Sequence, residues 1–182
     1  MLPPSTSSCH RTMSQKSVHV GGYDSIPDDA SPGLVFLKEF IPVLDSLDEN
    51  ASIAPFVLPE TRLIINDNVT SVDSFTTMVR VRSSKLSSFY HKVKRAWDLE
   101  VPAAAIEGRS GGRRTVFFES VSVTVFKDDP EQLPVEVPEF NIIEVEPTAS
   151  DHGKFVAVEL RSYLDPKPVF ERRLQLQSNE KE

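Results

Sequence analysis

The chain of 182 residues has a single cysteine, Cys9. No intramolecular disulfide can form, which suits a reducing compartment and leaves stability to packing. No run of apolar residues approaches the length that spans a bilayer, and Met1 to His10 lack the apolar segment of a signal peptide. A cytoplasmic protein with no membrane partner is the expectation. Surplus basic charge is missing too: 20 Lys and Arg stand against 27 Asp and Glu, a formal net charge of −7. A nucleic-acid backbone needs the opposite balance, so no nucleic-acid partner is expected. The basic clusters at Lys92 to Arg95, Arg109 to Arg114 and Arg172 to Arg173 read as solvated strand edges and a hairpin tip.

Several chemistries lack their signatures. His10, His19, His91 and His152 are scattered without metal-ligand spacing, so neither a metal nor an organic cofactor is expected. The Gly108, Gly111 and Gly112 loop has no following Lys-Ser/Thr to cradle phosphate. No nucleophile elbow occurs. Asn50-Ala51-Ser52 and Asn68-Val69-Thr70 match the glycosylation acceptor pattern, but without a secretory signal they read as chance matches in polar loops.

What is present is a change of period. Residues 1–31 are rich in Ser, Pro, Gly and Asp without periodicity and read as a disordered arm, with Met13 as an alternative start. A domain over 32–177 follows, then a disordered tail over 178–182. Ser31-Pro32 looks like an N-cap with proline in the first turn. Leu34, Leu37, Ile41 and Leu44 then hold core spacing in a helix that Pro42 should kink or divide. Residues 53–57 predict a helical turn, 61–65 a short strand and 71–89 a second helix. From Tyr90 the period becomes two. Strands are predicted over 90–101, 115–127, 135–146, 154–165 and 169–176.

The segment from Lys154 to Asp165 is the clearest of these. Val156, Val158, Leu160 and Leu164 fall on one side, and Arg161, Tyr163 and Asp165 on the other. Helices first and antiparallel strands later predict an α+β fold. A helical layer on a sheet long enough to curl gives a cone with a cavity.

The run Phe89 to Asp98 at the end of a helix and the Gly153 to Asp165 strand, with its Tyr163-x-Asp165 ending, resemble the NTF2-like superfamily. Within it the chain is most similar to the SnoaL-like group of polyketide cyclases and isomerases. The resemblance covers about residues 33–176. It implies a curved sheet enclosing an apolar pocket, a small apolar metabolite as ligand, and a homodimer formed through the outer sheet face. Because this fold hosts many functions, the residues decide the chemistry.

Glu119 shares parity with Phe117, Val121, Val123 and Val125. If that row lines the cavity, desolvation makes Glu119 a general acid or base with Phe117 as a ligand contact. If it does not, Glu119 belongs to a dimer interface or a cross-strand ion pair. Asp165 is either a base at the pocket mouth or, since Pro166 follows, a turn-making side chain. Tyr163 is an orienting donor or a rim residue. His91 shares parity with Val93, Trp97 and Leu99, a row that would put Trp97 on the pocket wall. His91 and Asp98 have opposite parities and face the same way only if a bulge intervenes. Two functions follow: a cofactor-independent isomerase or cyclase using Glu119, Asp165 and His91, or a non-catalytic ligand-binding or dimerisation module.

Overall fold

A computed structural model of the chain describes residues 17–101, 112–148 and 154–179. The Gly108 to Gly111 part of the expected hairpin loop, Cys9, His10, Met13, His152 and the tail beyond residue 179 lie outside the described residues.

The first helix, α1 (Pro32–Asp45), begins at Ser31 in an extended N-cap conformation with Pro32 at its first position, where a missing N–H costs nothing. Ser31 makes no side-chain cap. The Asp98 carboxylate replaces it, accepting the Gly33 N–H at 2.8 Å. Leu34, Phe36, Leu37, Phe40 and Ile41 bury the core-facing stripe. Pro42 does not divide the helix. It sits on the exposed side, where a lost backbone bond is replaced by water.

The sheet is built from β1 (Val18–Val20), β2 (Val57–Ile65), β3 (Asn68–Thr70), β4 (Leu86–Glu100), β5 (Arg114–Phe126), β6 (Val135–Pro147) and β7 (Phe155–Leu164). Its order is β1-β4-β5-β6-β7-β2-β3. Every pair is antiparallel except β2 with β7. Asn66 and Asp67 both take positive φ, 47° and 63°, which gives the tight turn that joins β2 to β3. Helix α2 (Val72–Lys85) starts on Ser71, whose side chain accepts the Ser74 N–H. Helix α3 (Lys167–Asn179) closes the described chain.

Helix α1 covers the inner sheet face, where its apolar residues join Val93, Ala96, Val116, Phe118, Ile143, Val145 and Ala157. The fold is therefore the expected α+β cone: helices on a curved, mostly antiparallel sheet. Three expectations are corrected. Residues 17–31, read as disordered, add β1 to the β4 edge and send Ile26 and Ala30 into the core. Residues 169–176, read as a strand, belong to α3: Val169, Arg172, Arg173 and Leu176 recur at helical spacing, and Leu176 packs on Leu86 and Phe126. The predicted second helix ends at Lys85, and β4 begins directly at Leu86.

Candidate functional site

The register of β4 shifts between Val93 and Arg95. This bulge turns the parity of the strand over. His91 and Val93 face inward before it, Ala96 and Asp98 face inward after it, and all four are buried. His91 thus shares a face with Asp98, which simple alternation forbids. Trp97 and Leu99 go to the outer face.

His91 is the middle of a row of three. Its backbone N–H donates to Asp45 Oδ2 at 2.9 Å, and its Nδ1 donates to Asp45 Oδ1. On the other side its Nε2 lies 3.3 Å from Glu139 Oε2. All three side chains are 7–8% exposed. Burial pushes the imidazole down, but hydrogen bonds to Asp45 and Glu139, together with their charges, outweigh it and raise His91 to about 9. At neutral pH both ring nitrogens are protonated donors. Burial pushes Glu139 up; the bond to protonated His91 and further bonds from Ser122 and Asn141 overcome this and hold its carboxyl low. The row is carboxylate, imidazolium, carboxylate.

Each member is placed by a simple structural reason. Asp45 is the last residue of α1, where the helix dipole disfavours an anion, so it needs the cations beside it. His91 is one; Arg82 of α2 is the other, feeling the Asp45 charge. Arg82 also donates to the Leu44 and Ser46 carbonyls at 2.7 and 3.3 Å, groups that the end of α1 leaves unpaired. Burial lowers Arg82 to about 10, which leaves it charged. Its guanidinium lies 4.0 Å over the Phe89 ring, and Phe89 meets His91 edge-on at 5.2 Å. Glu139 projects inward because β6 alternates Val137, Glu139, Asn141, Ile143 and Val145 on that face. Beyond it Asn141 donates to Ser120 Oγ at 3.1 Å and accepts from Ser162 Oγ at 2.6 Å.

On its open side Glu139 lines a cavity of about 360 Å³ between the sheet, α2 and α3. Leu86, Phe89, Phe126, Val137, Leu164 and Val169 form its apolar wall, while Arg82, Ser122 and Thr124 supply polar groups. A larger cleft of about 460 Å³ lies beside the first half of α1, with Phe36, Phe56 and Phe155 on its wall. No member of the charged row lines it. Among the described residues no group of three or more His, Cys, Asp or Glu is placed to hold a metal ion.

Folded structures with this arrangement of helices and sheet include a candidate calcium/calmodulin dependent protein kinase II association domain from Xanthomonas campestris. It aligns with a TM-score of 0.58 at 11% identity over 81% of this chain and 97% of that one. The BvnE pinacolase from Penicillium brevicompactum aligns at 0.54 and 7% identity over 81% and 95%. A nuclear transport factor 2-like superfamily protein from Salmonella enterica aligns at 0.54 and 10% over 70% and 84%. The fold is NTF2-like. No family model matches the chain, and no curated protein sequence matches it significantly.

The NTF2-like cone sorts the sequence-derived candidates. His91 is inside. Glu119 is exposed on the outer face, paired in register with Arg95 and Phe140, and lines neither of the two cavities described above. Phe117 stacks on Phe140 at 6.3 Å, and Trp97 lies under Arg95 at 5.6 Å, both on that outer face. Tyr163, opposite Phe140 in register, is there too. Asp165 is exposed and accepts the Lys167 N–H at 3.0 Å, the turn-making alternative. Sequence reasoning missed Asp45 and Glu139. Glu139 carried a usable signal, a carboxylate interrupting the apolar row Val135, Val137, Ile143 and Val145.

Proposed function

We propose that the chain binds a small, mostly apolar molecule in the cavity beside Glu139 and moves a proton on it, as a SnoaL-like isomerase, cyclase or dehydratase that needs no cofactor. The observation that carries this reading is the position of Glu139, with an apolar cavity on one side and the His91 imidazolium on the other. A structural ion-pair row also perturbs its members, but such a row gains nothing from presenting a carboxylate to an apolar cavity. Here the group held ionised at neutral pH is the one a ligand would touch.

In this reading a C–H proton next to a substrate carbonyl passes to Glu139, and the electron pair of that bond moves into the carbonyl as an enolate. The proton returns at another carbon, so the reaction is balanced without a redox partner. His91 keeps Glu139 oriented and ionised between turnovers, and Asp45 holds the imidazole in place. The apolar wall shields the enolate, while the open side of the cavity lets the proton held by Glu139 exchange with solvent before one returns to carbon. The proton-transfer roles first considered for Glu119 and Asp165 pass to Glu139. A pinacolase with this fold supports an enzymatic reading without naming a substrate.

The outer face favours a second, compatible reading, a homodimer. Val18, Val20, Tyr90, Leu99 and Phe140 are large apolar side chains exposed on or beside it, a concentration that isolated chains rarely leave in water. A chain of the C. albicans Mtr2–Mex67 M domain complex has this fold (TM-score 0.53, 11% identity, 74% and 94% covered). The single cysteine fits a cytoplasmic setting. No described helix is long and apolar enough to cross a membrane.

The test is native mass spectrometry of gently purified protein, followed by incubation of any retained molecule with the protein in D2O. Deuterium should enter the molecule, and Glu139→Gln should slow the exchange by about 10²–10⁴-fold. Exchange that is indifferent to Glu139→Gln would remove the catalytic reading.

A further inference from the structure

The charges around the cavity do not balance. Asp45, His91, Glu139 and Arg82 form an inner set of two anions and two cations that pair among themselves. Two more cations line the same cavity, Lys85 from the last turn of α2 and Arg173 from α3. Among the described residues neither side chain has a hydrogen-bond or ion-pair partner. The acids nearest in sequence are already taken: Glu171 faces Lys167 at 3.6 Å, and Arg172 holds Asp129 and Glu131 at 2.6 and 3.2 Å. In a chain of net charge −7, two unpaired cations from two different helices meet one apolar cavity. Lys38 pairs with Asp28 and Lys92 with Glu136 away from the cavity; what sets Lys85 and Arg173 apart is that both line one apolar cavity.

We infer that the ligand is an amphipathic acid, with its apolar body against Phe89, Val137 and Leu164 and an oxyanion head, carboxylate or phosphate, between Lys85 and Arg173. The inference rests on the cavity being the ligand site, as proposed above. The head would bridge α2 to α3 at the cavity margin, where arginine can bind an oxyanion through two parallel hydrogen bonds and lysine acts as a point charge. At about 30 Å³ for each water-sized unit, the cavity of about 360 Å³ holds about a dozen heavy atoms. That is the size of decanoate. Glu139, already neutralised by His91, does not repel the head as a bare carboxylate would.

The experiment is isothermal titration of the full chain with decanoate, decyl phosphate and decan-1-ol, each below its micelle concentration. The acids should bind at least about tenfold more tightly than the alcohol, with an advantage that shrinks as salt is added. The tighter acid then identifies the head. The double variant Lys85→Gln/Arg173→Gln should level all three. If the alcohol binds as well as the acids, or the preference survives the double variant, the anionic-head inference is overturned while the cavity stands. If none of the three binds, the cavity reading falls and takes this inference with it.

Discussion

Two buried aspartates sit at opposite ends of α1 with opposite consequences. Asp98 meets the N-terminus, where the helix dipole favours an anion. It accepts the Gly33 N–H at 2.8 Å and two bonds from Arg114 Nε, each 2.8 Å. Asp98 is satisfied and structural. Asp45 meets the C-terminus, where the dipole opposes it, and persists because His91 and Arg82 are cationic. The close approach of Asp98 explains Gly33: a Cβ there would lie 2.6 Å from Asp98 Cγ and 2.6 Å from Val116 Cγ2. Gly33→Ala should cost about 1–3 kcal/mol by overpacking. At about 2–4 °C per kcal/mol for a chain of this size, Tm falls by several degrees, and an unchanged melting curve would show that Asp98 and Val116 yield freely. At this scale the sequence was half legible. In β5 the more apolar parity is Phe117, Val121, Val123 and Val125, which makes Glu119 look like the carboxylate that interrupts the pocket row. The inward parity of β5 is Val116, Phe118, Ser120, Ser122, Thr124 and Phe126, where Ser120 accepts from Asn141 and Ser122 bonds Glu139. The more apolar row was therefore the wrong one to follow.

Among the elements, those with unbroken periodicity are legible, whereas a bulge in β4 and an apolar alternation within α3 hide the true face or type. The strands of β4 to β7 were recovered to within a few residues. Alternation in β4 failed at the Val93/Arg95 bulge, which no glycine or proline marks, and that one residue moved Trp97 from pocket wall to outer face. In β7 a register shift opposite Glu144 and Val145 puts Ala157 and Leu160 on the same side, so the even-numbered row holds only for its second half. Helix α3 was hidden by Leu174 and Leu176 alternating with Gln175 and Gln177, although Pro166 and Pro168 fit a helix start better than a strand. It also packs lightly. Phe170 and Leu174 are each 62% exposed, and its apolar attachment is Leu176 with Val169. The rest of its hold is Arg172, which donates to both carboxylate oxygens of Asp129 at 3.1 and 2.6 Å. Asp129 in turn accepts the Glu131 and Leu133 N–H groups, so this latch ties α3 to the β5–β6 turn. Arg172→Gln should speed amide exchange across residues 167–179 by at least about tenfold while the centres of β5 and β6 keep their protection. Uniform acceleration would mean that α3 opens only with the whole fold.

The charged row sets how the whole molecule answers to pH. The His91 imidazole is raised from 6.5 to about 9 on folding, so the folded state binds a proton that the unfolded chain has released between those values. Stability from this group is therefore fully present below about pH 6.5 and is lost as pH rises through about 9. At 1.36 kcal/mol per pH unit the total is on the order of 3 kcal/mol. Glu139 has the opposite sign. Its carboxyl is held low, so its contribution is present above its unfolded value of about 4.5 and is lost as pH falls through the lower folded value. Together the two place the maximum of stability between about pH 5 and 6.5, with a decline on the alkaline side that begins well before any lysine titrates. Urea unfolding at a series of pH values reads this directly. His91→Gln should lower stability throughout, because it leaves buried Glu139 without its cation and Asp45 with Arg82 alone, and it should also flatten the slope between pH 6.5 and 9. A variant that loses stability but keeps the full alkaline slope would move the titrating group away from His91, and with it the basis for holding Glu139 ionised at the cavity wall.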